Sequence, residues 1–221
     1  GPPGCGKTLL AERLPALLPD LSAEEALQVT AIHSVAGRLA ADAELITRPP
    51  YQAPHHGATA AAVVGGGAGL ARPGAASLAH HGVLFLDEAP EFPRTVLDAL
   101  RQPLESGEIS IQRVGGTARY PARFSLVLAA NPCPCAKPQS RCTCRPAQRQ
   151  GYLSRLSGPL LDRVDINITL QAITRREIQE APSAPHAPQG AYPGTCRNLD
   201  RAELEYKRST RPAAIREMSS M

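Results

Sequence analysis

The octet GPPGCGKT at residues 1–8 combines three glycines, a lysine and a threonine in the spacing G-x-x-x-x-G-K-T. Gly1, Gly4 and Gly6 let the backbone curl its amides inward around a triphosphate, with Pro2, Pro3 and Cys5 filling the permissive positions between them. Lys7 then reaches the outer phosphates and the Thr8 hydroxyl is placed for Mg²⁺. Eighty residues downstream, VLFLDE ends in two acids. Asp87 would hold the Mg²⁺ through water, and Glu88 would orient and polarise an attacking water.

These groups need a scaffold that brings them to one edge. VLFLDE is an apolar run suited to a buried parallel strand, and SLVLAAN, residues 125–131, is a second. Ligand groups gather at the carboxyl edge of such sheets, so Asn131 is a candidate sensor of the outer phosphate; as an Asn before Pro132 it also starts a turn. Residues 7–18 read as a short helix. LSAEEALQ starts another, with Ser22 and Glu25 as a capping box. Pro93 opens a helix running through TVLDALRQPLESG to Gly107. EISIQRV and ARYPARF flank Gly115-Gly116 as a hairpin. Residues 49–76, rich in Pro, Gly and Ala, read as an insertion of loop or hairpin character. From 172 onward repeated prolines break any helical period, which predicts a loosely ordered tail.

The length of 221 residues suits one nucleotide-binding domain. No stretch has membrane-spanning length and no leader is legible, so the expectation is a soluble, cytoplasmic protein. Six cysteines are too few for a secreted disulfide scaffold, and four lie within twelve residues. Cys133, Cys135, Cys142 and Cys144 form two C-x-C pairs able to surround a structural Zn²⁺, although the one-residue spacing is tighter than usual. The net charge of +4 is modest, but no Asp or Glu falls between Ile109 and Leu161, where Arg113, Arg119, Arg123, Lys137, Arg141, Arg145, Arg149 and Arg155 all lie. Such a segment suits nucleic-acid phosphates, with Arg113, Arg119 and Arg123 on or beside the hairpin; a solvated or subunit-facing surface is the alternative. The pairs His55-His56 and His80-His81 read as structural or subunit-contact residues, since neighbouring side chains diverge.

The strings GPPGCGKT, APHHGATAAAVVGGG, SLAHHGVLFLDEAPEF, LDALRQPLESGEISIQR, YPARFSLVLAANPCPC and SGPLLDRVDI resemble the magnesium-chelatase-like AAA+ ATPases, in particular the YifB/ComM family. The resemblance spans residues 1 to about 170. It implies an α/β P-loop core, a parallel sheet flanked by helices and carrying β-hairpin insertions, assembled into a ring, expected to be a hexamer, with ATP between neighbours. In that arrangement Arg163 of LLDRVD is the finger offered to the next subunit's nucleotide, against the alternative of an ion pair with Asp162 or Asp165. The insertion and the hairpin then face the central channel. Departures are Ala75 and Ala76 where the family has an acid, and the absence of a recognisable helical lid, of the strand before Gly1 and of the amino-terminal protease-like domain. The expected organisation is a core over 1–171 without its first strand and a divergent tail over 172–221, as a truncated or frameshifted product would show.

Three functions follow as expectations. The leading one is an ATP-driven motor on DNA, as in branch migration. The second is a chelatase-type ATPase remodelling a protein partner, because core chemistry does not fix the substrate. The third is a nucleotide-binding fragment without turnover.

Overall fold

The computed structural model describes residues 1–40, 42–67, 71–113, 116–137 and 141–171. The expected tail lies outside the described residues. At the centre is β2, Val83–Leu86, with all four side chains buried. Alternation along the strand explains why the run is apolar throughout: Leu84 and Leu86 face one cluster with Val63, Val96, Leu97, Leu100 and Leu160, while Phe85 faces a second with Ala11 and Ala129. Parallel neighbours flank it, β1 at Tyr51–Gln52 and β5 at Ser125–Leu128, in the order β1-β2-β5. The register sets Tyr51 beside Val83 and Leu86 beside Leu128, so all three strands point their carboxyl ends the same way.

Helices cover this sheet. Helix α1, Lys7–Arg13, runs into a 3₁₀ turn at Leu14–Leu17. Pro15 has no N–H for the Ala11 carbonyl, which instead takes the Leu14 N–H, tightening the last turn. Helix α2, Ala23–Val35, starts at the expected box: Ser22 Oγ accepts the Glu25 N–H at 3.3 Å, and Glu25 Oε2 accepts the Ser22 N–H at 2.9 Å.

The segment 49–76, expected to have loop or hairpin character, also carries regular elements. It supplies β1, then α3 at Ala60–Val64 capped by Thr59, an antiparallel bridge between Gly66 and Arg72, and the first residues of α4, Ala75–Leu78. The aromatic ring of Tyr51 stacks on Phe85 at 6.3 Å and Val63 is fully buried, and these two contacts outweigh the local Pro and Gly content.

After β2, a 3₁₀ turn at Ala89–Glu91 leads to α5, Arg94–Ala99, and α6, Arg101–Ser106. These are two helices where one was expected, because Pro103 cannot donate to the Ala99 carbonyl. Gly107 closes α6 in the left-handed region. The hairpin follows as β3, Glu108–Arg113, and β4, Gly116–Pro121. Arg113 pairs with Gly116, so Gly116 stands in β4 and not in the turn expected at Gly115-Gly116. That register places Ile109, Ile111, Ala118 and Tyr120 on the core side, and the Tyr120 hydroxyl donates to the Ala71 carbonyl at 2.6 Å. Helices α7, Pro146–Leu153, and α8, Gly158–Leu161, complete the described chain. Among the described residues no helix is long and apolar enough to cross a membrane.

Candidate nucleotide site and cysteine cluster

The carboxyl ends of β2 and β5 and the amino end of α1 meet at one place. Gly4 and Gly6 have φ of 75° and 80°. A Cβ at either would touch nothing, so it is the left-handed backbone and not crowding that selects glycine there. The Lys7 ammonium donates to the carbonyls of Gly1 at 2.9 Å and Pro2 at 2.8 Å, and to Asn131 Oδ1 at 3.0 Å. Thr8 Oγ1 donates to Asp87 Oδ2 at 2.7 Å, and the Gly1 amine donates to the Ala130 carbonyl at 3.1 Å. Residues from opposite ends of the core thus share one constellation, with a hydroxyl and a carboxylate side by side. Two hard oxygen donors of this kind suit Mg²⁺.

Glu88 is oriented by the backbone. The Ala89 N–H donates to the Ala129 carbonyl at 2.8 Å, tying the ends of β2 and β5 together. Glu88 takes φ 51°, ψ 43°, an uncommon conformation for a side-chain-bearing residue, and its N–H donates to Asp87 Oδ1 at 2.9 Å. This turn carries the Glu88 carboxylate away from Asp87 towards His56, whose Nδ1 lies 3.4 Å from Glu88 Oε2.

Two residues beside the site were missed from the sequence. His56, expected as a structural or subunit-contact residue, belongs to the loop after β1, a strand too short to recognise from its residues. Tyr152, on α7, is buried beside the backbone of Asn131. Burial, with Glu91 and Glu88 nearby, pushes this phenol up to about 12. No sequence signal marks it. In the second pair, His80 Nδ1 accepts the Arg123 N–H at 3.0 Å, its Nε2 is 3.2 Å from Gln28 Oε1, and His81 pairs with Glu25.

The four cysteines converge, every sulfur lying within 4.8 Å of the others. Cys133 Sγ is 3.2 Å from Cys135 Sγ and 3.4 Å from Cys142 Sγ. Burial pushes the Cys133 thiol up to about 12, whereas a hydrogen bond from the Cys144 backbone and the neighbouring thiols bring Cys142 down to about 6. Four clustered soft ligands with one deeply buried member match a closed, structural metal site.

The arginines are placed less as expected. Arg163 donates to Glu105 Oε1 and to the Pro159 carbonyl, so its ion pair is with α6 and not with Asp162 or Asp165. Arg119 is exposed on the outer face of β4, 3.8 Å from Glu108. Arg123 lies beyond β4 at the base of the hairpin, also exposed, against Gly107. Arg113 stands at the last position of β3, its side chain outside the described atoms. Arg155 pairs with Glu91 at 3.2 Å. Acids from flanking elements thus offset part of a segment that is acid-free in sequence.

The family model "Magnesium chelatase, subunit ChlI" matches residues 1–178. The chain is 53% identical over 173 residues to uncharacterized protein YifB of Escherichia coli, covering 77% of this chain and 33% of that protein. It is 47% identical over 180 residues to competence protein ComM of Haemophilus influenzae, covering 81% and 35%. The chain therefore spans about a third of the length of these relatives. Among solved structures, one of the complex between subunits BchI and BchD of magnesium chelatase superposes with a TM-score of 0.55 at 21% identity, covering 94% of this chain and 63% of that one, which shows the shared fold. With its phosphate loop, paired acids and Asn131 converging at one edge of a parallel sheet, the chain belongs to the magnesium chelatase ChlI family, as a YifB/ComM-like AAA+ protein.

Proposed function

We propose that the chain is the ATP-hydrolysing core of a motor that acts on DNA, working in the cytoplasm as a hexameric ring. The observation that carries the ATPase reading is the meeting of Thr8 with Asp87 at 2.7 Å and of Lys7 with Asn131 at 3.0 Å. The amides of the loop and Lys7 bind the phosphates, and Thr8 and Asp87 hold Mg²⁺, which supplies charge neutralisation at the phosphates. Glu88 accepts hydrogen bonding from the attacking water and polarises it, while Asn131 fixes the outer phosphate or that water. Arg163, supplied by a neighbouring subunit after release from Glu105, stabilises the developing charge. The four cysteines hold a structural Zn²⁺.

The DNA reading rests on the basic, acid-free segment and on similarity to a competence protein; Arg113, Arg119 and Arg123 are its contacts. The pairing of Arg119 with Glu108 and of Arg155 with Glu91 favours a second reading, in which the same motor remodels a protein partner.

ATPase rates with and without branched DNA separate the two. A DNA motor shows stimulated turnover and DNA affinity that falls steeply with salt. Rates indifferent to DNA, with no salt-sensitive binding, overturn the DNA reading. Glu88→Gln should retain ATP while lowering turnover by about 10²-fold or more; undiminished turnover overturns the assignment of Glu88.

A further inference from the structure

Asn131 is held from two sides. Its side chain takes the Lys7 ammonium, and its backbone lies beside the buried Tyr152 side chain. Two residues later the chain enters the cysteine cluster at Cys133 and leaves it at Cys144, and α7 begins at Pro146. One turn into α7, Arg149 donates to Cys142 Sγ at 3.3 Å. Tyr152 lies one turn further, facing back to Asn131. The path from Asn131 through the four sulfurs, along α7 and across the Tyr152 side chain to Asn131 is a closed circuit. Beyond α7, Arg155 fastens the strap to the Pro90 carbonyl and Glu91, on the turn that follows Glu88.

Among the described residues, contacts between the sulfurs of Cys133, Cys135 and Cys142 draw the two ends of this segment together. The separations of 3.2, 3.4 and 3.6 Å are close to the edges of about 3.8 Å of a tetrahedron of thiolates around Zn²⁺. Arg149 offsets the negative charge that four thiolates leave on such a centre.

We infer that the cysteine cluster is a clamp on the nucleotide site: a soft divalent cation of the Zn²⁺ class, bound by Cys133, Cys135, Cys142 and Cys144, sets the position of Asn131, and Tyr152 is the positioning residue that carries the link. This deepens the ATPase reading and rests on it for the role of Asn131.

The test uses native mass spectrometry, hydrogen–deuterium exchange and titration with a fluorescent ADP analogue, on protein as purified, stripped with a chelator under reducing conditions, and reloaded with Zn²⁺. Expected are one metal ion per chain, faster exchange at 129–133 on stripping, and nucleotide affinity about fivefold weaker, restored by Zn²⁺. Tyr152→Phe keeps the metal yet shows the same loss of affinity, a pattern that mere unfolding of the cluster does not give. A protein that binds no metal, as purified or on addition of Zn²⁺ or Co²⁺ to reduced thiols, overturns the inference. So does metal removal that leaves exchange at 129–133 unchanged, or nucleotide affinity unchanged in a protein that binds nucleotide. Metal-loaded protein that binds no nucleotide, with exchange still metal-dependent, sinks the ATPase reading instead and leaves the clamp standing.

Discussion

His56 approaches Glu88 from the loop after β1, whose Tyr51 and Gln52 pair with β2 and deliver the following residues to the same sheet edge. A neighbour at 3.4 Å limits the rotamers open to the Glu88 carboxylate, and under the role proposed for Glu88 such positioning would contribute to the rate without contributing to binding. His56→Ala is accordingly expected to lower ATP turnover about tenfold with little change in KM, with partial rescue by His56→Gln; steady-state kinetics on both variants check this. An equal loss in binding and turnover contradicts it. At this scale the octet and the two acids were legible, since their chemistry is written in residue types at fixed spacing. His56 and Tyr152 were not, because each acquires its role from a contact across the fold.

Elements were legible where local physics decides them. The Ser22 and Glu25 box starts α2 through bonds within one turn, and the apolar run of β2 reports burial on both faces. Where a partner decides, the sequence was silent. The two-residue β1 sits in Pro- and Gly-rich surroundings and is held by Tyr51 on Phe85. Its entry depends equally on Gly82, which precedes β2: a Cβ there would overlap the Pro50 carbonyl, the group that accepts the Val83 N–H at 2.8 Å. Gly82→Ala is expected to separate the starts of β1 and β2 and to cost about 1–3 kcal/mol of stability, measured as a lowered urea midpoint. An unchanged midpoint shows that this approach is not constraining.

Across the whole molecule, one buried imidazole joins three parts. His80 connects α2 through Gln28 with the base of the hairpin through Arg123, from the segment leading into β2. Burial above all, with His81 and Arg123 adding to it, brings its pKa down to about 4. The unfolded chain takes up this proton near pH 6.5 and the fold refuses it until about pH 4, so stability is full above 6.5 and declines as pH falls through that window. Denaturation midpoints across pH 4–7 should therefore slope downward on acidification, and His80→Gln should flatten the slope; an identical slope in the variant contradicts the assignment. The charge pattern was only half readable at this scale, because Glu91 and Glu108 meet the arginines through folding and not through sequence proximity. The hairpin has a further consequence. Its inward row, Ile109, Ile111, Ala118 and Tyr120, is committed to anchorage, while the outward row of Gln112, Thr117 and Arg119 is free of that duty. Substitutions confined to the outward row would therefore change what the hairpin presents to solvent while leaving its anchorage in place.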